Sequence, residues 1–115
     1  QEDLARLGIK VQVAPLEFGE FQRRTMQTYE YDAALLGVSV SEPDPSSYAN
    51  FLRSSSPLHQ WHPKQSKPST DWEARIDELL AAQARESNPE RRREAFHEVQ
   101  RILADQLPVI PIVAR

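Results

Sequence analysis

Few residues of this chain have the type and spacing to carry chemistry. Its three histidines are His59, His62 and His97. His59 and His62 stand three apart in the stretch His59-Gln60-Trp61-His62. A metal site would need further ligands at a defined spacing, such as His-Glu-x-x-His, and the chain has none. A structural role for these histidines is the plainer reading. The stretch could also line a pocket, since a tryptophan flanked by polar groups suits a mixed ligand. Serines are plentiful, yet no Gly-x-Ser-x-Gly elbow occurs, and Ser54-Ser55-Ser56 lies in a loop-like stretch. Three glycines cannot build a phosphate cradle. With no cysteine, disulfides, thiolate zinc sites and cysteine nucleophiles are excluded. Asp32 and Asp44 could be paired as acid and base on paper, but nothing sets their distance. No catalytic constellation is present, so the reading is of a protein that is not an enzyme, with no cofactor and no metal.

Composition narrows the partners. The 115 residues carry a net charge of −3, which argues against a nucleic-acid platform. The run Arg91-Arg92-Arg93 shares its helix with Glu90, Glu94 and Glu98 and reads as a salt-bridged, solvated face. No apolar run approaches the roughly 20 residues of a membrane span. Five of the nine prolines fall within residues 39–70.

These residues need elements to position them. Leu4 and Leu7 share one side of a short helix that Gly8 closes, and this helix has no start of its own. The chain is therefore expected to be a piece of something longer. Residues 9–13 alternate, with Ile9, Val11 and Val13 on one side, and predict a strand. Phe18, Phe21, Thr25 and Met26 mark a helix from about 17 to 28. Residues 31–38 are nearly continuously apolar and predict a buried strand. Strand, helix and strand make a βαβ unit with parallel strands. Residues 39–70 are expected to be a long Pro/Ser-rich loop with a short helix over 46–52. Thr70 to Glu73 match a capping box, and Asn88-Pro89 starts a second helix. Trp72, Ile76, Leu79, Leu80 and Gln83 form one stripe; Phe96, Val99, Ile102, Leu103 and Leu107 form the next. A last strand is expected over 109–113, demoted to an edge by Pro111. The class is α/β. In parallel α/β sheets, ligands meet the loops at the carboxyl ends of strands. Residues 39–45 would then face a ligand, or form a plain surface loop with an Asp-Pro turn.

The order of segments is familiar. Leu-Gly-Ile-Lys-Val at 7–11, Pro-Leu-Glu-Phe at 15–18, Tyr-Asp-Ala-Ala-Leu-Leu-Gly at 31–37 and Asp-Pro at 44–45 come in sequence. Trp72-Glu73, Ile76-Asp77, Asn88-Pro89-Glu90-Arg91-Arg92 and Leu107-Pro108-Val109-Ile110-Pro111 follow. This order resembles the carboxyl-terminal part of the extracytoplasmic solute-binding proteins of ABC transporters that take peptides or nickel (family 5). The resemblance implies that residues 1–115 are one partial domain, part of one lobe of a two-lobed, periplasmic-binding-protein-like fold that closes on a ligand by a hinge. It implies capture of a peptide or peptide-like solute outside the cytoplasmic membrane and delivery to a membrane permease. The other lobe of the same polypeptide would be a partner, and the piece alone is expected to self-associate. Peptide-binding members usually carry Gly-Trp where this chain has Gly37-Val38. Many anchor the ligand's amino group with an aspartate at the position of Ser41. A serine holds an ammonium more weakly than a carboxylate does, so Glu42 is the neighbour able to supply the charge. The ligand-binding residues expected are Val38, Ser39, Ser41, Glu42, Asp44 and Trp61. The competing readings are a small α/β enzyme and a partner-binding module built on the two last helices. The first would show opposed titratable groups in a closed pocket. The second would show a large apolar patch on residues 72–107.

Overall fold

The computed structural model describes residues 1–37, 44–62 and 65–112. The chain divides into two compact units, Gln1–Leu36 and Gly37–Arg115.

The first unit holds helix α1 (Glu2–Arg6) and helix α2 (Phe18–Arg23), which runs on into a π-helical turn (Arg24–Thr28). Gly8 closes α1 at φ 78°. The Ile9 amide donates to the Leu4 carbonyl and the Gly8 amide to that of Ala5, the double bond pattern of a Schellman stop. Glu17 caps α2, its side chain accepting from the Gly19 amide. Glu20 takes hydrogen bonds from both Arg23 and Arg24, and Tyr29 ends the turn in the left-handed region. No described residue of this unit is buried.

The second unit is built on a helical hairpin. A short 3-10 turn (Pro45–Tyr48) leads into α3 (Ala49–Leu52), followed by α4 (Asp71–Arg85) and α5 (Pro89–Gln106). The short helix expected within the Pro/Ser-rich stretch thus forms. The Thr70–Glu73 capping box is present in both its bonds. Asn88 accepts from the Glu90 and Arg91 amides, with Pro89 in the first turn. A connection of three residues forces α4 and α5 to pack as neighbours. Their stripes meet in a core of Ile76, Leu79, Leu80 and Val99. Ala49, Leu52, Trp72, Phe96, Ile102 and Leu103 pack around it. Leu107, expected in the stripe, instead ends α5 in the left-handed conformation and is exposed. Among the described residues, no helix is long and apolar enough to cross a membrane.

The expected strands are corrected. No strand forms among the described residues, so the βαβ unit and the final strand are absent over 9–13, 31–37 and 109–112. Alternation gives a segment two unlike faces, but a strand exists only when a neighbour completes its ladder. Here the Ile9 amide is spent on α1, and the Val11 carbonyl accepts from the Gln1 side chain at 2.9 Å. Val38 and Val113 lie outside the described residues.

Candidate functional site

Asp44 begins the 3-10 turn as its N-cap. Its Oδ1 accepts from the Ser46 amide at 2.8 Å, and its carbonyl accepts from the Ser47 amide and hydroxyl. From α5, Arg92 Nη2 donates to both carboxylate oxygens, at 3.0 and 2.9 Å. Gln83, buried on α4, completes the group. A guanidinium only donates, so the Gln83 amide oxygen faces it, accepting from Arg92 Nη2 at 2.8 Å and from the Ser46 hydroxyl at 3.1 Å. The Ser46 bonds, then Arg92, hold the Asp44 carboxyl down at about 2. This cluster ties the end of the 39–45 segment to both long helices.

A second polar cluster centres on Glu73, in the first turn of α4 and only 4% exposed. Its Oε1 accepts from the Trp61 indole at 2.9 Å. Its Oε2 accepts from Gln65 Nε2 at 2.9 Å and from the Ser69 and Thr70 amides at 2.7 and 3.1 Å. Burial alone would raise its pKa. The donors outweigh burial, and the carboxyl sits at about 2. His62 Nδ1 meets Gln65 Oε1 at 2.8 Å. Trp61 packs against two rings, His59 edge-on at 4.1 Å between centroids and Trp72 tilted at 5.8 Å. One turn along α4, Asp77 accepts from both the amide and the hydroxyl of Ser54.

Of the expected site residues, Val38, Ser39, Ser41 and Glu42 lie outside the described residues. Asp44 and Trp61 are placed, in the two different clusters. Each spends its polar group on a partner within the chain. Sequence reasoning passed over three contributors. Arg92 was read with the solvated arginines, whereas Arg91 and Arg93 pair with Glu86 and Glu90 and Arg92 alone reaches back 48 residues. Gln83 was placed in the apolar stripe without comment, although a polar residue there is the usual sign of a buried hydrogen-bonding role. Glu73 was seen only as half of a capping box, and nothing local to it signals the partners at 61 and 65. Among the described residues no group of three histidine or acidic side chains could hold a metal.

The chain is similar along nearly its whole length to curated proteins named for periplasmic binding or for di/tripeptide binding. "Probable ABC transporter periplasmic-binding protein SapA" of Escherichia coli is 30% identical over 114 residues, covering 99% of this chain and 20% of that protein. Di/tripeptide-binding protein 3 of Pseudomonas aeruginosa is 30% identical over 113 residues, and Di/tripeptide-binding protein 4 of that organism is 33% identical over 113. Each alignment covers 97% of this chain and 20% of the relative. The chain therefore spans about one fifth of the length of the relatives it matches. The order of segments that resembles solute-binding proteins is matched almost end to end. No family model matches the chain, and no solved structure matches it significantly.

Proposed function

We propose that this chain is part of one lobe of a substrate-binding component of an ABC importer, one that captures a peptide or peptide-like solute. The observation that carries this reading is the alignment of 97% of the chain with proteins named for di/tripeptide binding, and of 99% with one named as a periplasmic-binding protein of an ABC transporter. The parent protein works at the periplasmic or outer face of the cytoplasmic membrane and delivers its ligand to a membrane permease. Its role is binding without catalysis. Residues 1–115 are one partial domain of that parent, and the other lobe closes the site by a hinge motion.

Within this reading, the ligand meets Val38, Ser39, Ser41 and Glu42, with Asp44 and Trp61 at the margins. Glu42 supplies the negative charge for the ligand's amino group, beside Ser41. Asp44 serves by position: with Arg92, Ser46 and Gln83 it anchors the chain immediately after the ligand-contacting residues. Trp61 presents the part of its half-buried ring not covered by His59 and Trp72.

Calorimetric titration of the full-length parent with dialanine and trialanine tests this. Saturable binding is expected, and Glu42→Ala should weaken it about tenfold or more, the worth of a charge-assisted hydrogen bond. Ser41→Asp should strengthen it. Absence of binding to either peptide overturns the peptide reading. Binding that both substitutions leave unchanged overturns only the placement of the site.

A further inference from the structure

The stretch His59-Gln60-Trp61-His62 divides, once folded, into a support and a surface. His59 is buried, with its ring edge-on to Trp61. Trp61 is half-buried and His62 is exposed. These last two side chains are held through the two oxygens of one carboxylate. Glu73 Oε1 accepts from the Trp61 indole at 2.9 Å. Glu73 Oε2 accepts from Gln65 Nε2 at 2.9 Å, and Gln65 Oε1 meets His62 Nδ1 at 2.8 Å. The Gln65 main-chain amide also donates to the His62 carbonyl at 3.0 Å. Main chain and side chain therefore bind the same pair of residues together.

This relay decides where the imidazole hydrogen sits. An ionised carboxylate only accepts, so Gln65 must turn its NH2 toward Glu73. The Gln65 amide oxygen is then the atom left for His62. That oxygen only accepts, so His62 Nδ1 carries the hydrogen. In a neutral imidazole one nitrogen donates and the other accepts. His62 Nε2 is therefore a bare acceptor, and no bond to it is made by any described residue. Gln65 is 8% exposed and Glu73 4%. Two buried polar side chains thus fix the tautomer of a ring that lies at the surface. A histidine that merely faces water needs no such arrangement. We propose that His62 is a further ligand-contacting residue: its Nε2 accepts a hydrogen bond from a main-chain N–H of a bound peptide, next to Trp61, with Gln65 and Glu73 as positioning residues. The proposal rests on the peptide-binding reading. A fixed acceptor beside a partly uncovered indole suits a peptide unit, whose N–H is flanked by apolar carbon.

Two measurements test it. Long-range nitrogen–proton NMR correlations of the histidine rings, recorded on the whole 115-residue chain at pH 8.5, report the tautomer. His62 should carry its hydrogen on Nδ1, and Gln65→Leu should turn it into a mixture of tautomers. A wild-type His62 with its hydrogen on Nε2 overturns the proposal. Calorimetric titration of the full-length parent with trialanine then reads the contact. His62→Phe keeps an aromatic ring without its nitrogens and should weaken binding about tenfold, the cost of a ligand N–H left unpaired. His62→Gln returns an acceptor and should recover part of the loss. Gln65→Leu should weaken binding, but less than His62→Phe does. Trialanine binding that His62→Phe leaves unchanged overturns the contact and spares the peptide-binding reading. No binding by the wild type overturns both. Should Gln65→Leu fail to fold, the wild-type tautomer and the two His62 variants decide.

Discussion

Glu73 concentrates more of the second unit's polar bonding than any other side chain described, and its removal has calculable consequences. Glu73→Gln keeps the size but turns two donor hydrogens toward groups that are themselves donors. Hydrogen bonds to a buried charge are worth about 1.5–3 kcal/mol each, so a loss of about 3 kcal/mol or more is expected in urea unfolding at pH 7. The wild-type carboxyl lies at about 2, against an ordinary 4.5. Its contribution is therefore complete above 4.5 and lost as the pH falls through the folded value near 2. Between pH 4.5 and 2 the stability of the wild type should decline, and that of Glu73→Gln should decline less. Equal slopes would mean that Glu73 is protonated at its ordinary value.

The helices owe their ends to single residues and their existence to a shared stripe. Gly8 sits at φ 78°, and an added Cβ would meet nothing within 4 Å. Gly8→Ala should therefore cost only the conformational strain of a left-handed residue, about 1 kcal/mol, visible as fraying of α1 by circular dichroism. Packing carries more. Leu80 is 1% exposed in the core between α4 and α5, and Leu80→Ala should cost about 2–5 kcal/mol in urea unfolding. Leu35, 80% exposed in the first unit, should tolerate the same change to within about 0.5 kcal/mol. The stripes, the capping box and the Asn88-Pro89 start were legible because each is written in residues at most four apart. That 9–13 and 31–37 form no strand was not legible, because neither alternation nor an apolar run names the partner that a ladder needs.

Over the whole molecule, order is unevenly supported. The second unit has a buried core, and the first has no buried residue among those described. Hydrogen exchange should show the slowest amides in α4 and α5, around Ile76 to Leu80 and Val99 to Leu103, with the backbone at 9–16 and 31–36 exchanging fastest. Slow exchange over 9–13 or 31–36 would mean a ladder that the structure lacks. Leu7 and Leu35 in the first unit and Ile110 and Ile112 in the second are each 73–80% exposed, apolar surface that a second copy could cover. Sedimentation of the isolated chain should give a mass that rises with concentration.

What the sequence determined by itself was local or serial. It determined the helices of the second unit, their caps, the residues of the core stripes, and an order of segments that matches peptide-binding proteins along nearly the whole chain. Periodicity and capping need only near neighbours, and serial order survives without any knowledge of contacts. The tertiary structure decided where distant polar groups go. Asp44 meets Arg92 across 48 residues and Trp61 meets Glu73 across 12. His59 is sealed with no hydrogen-bond partner, while His62 three residues on meets Gln65. No local pattern encodes these pairings, because they depend on which faces of α4 and α5 are left over once the apolar stripe has been buried.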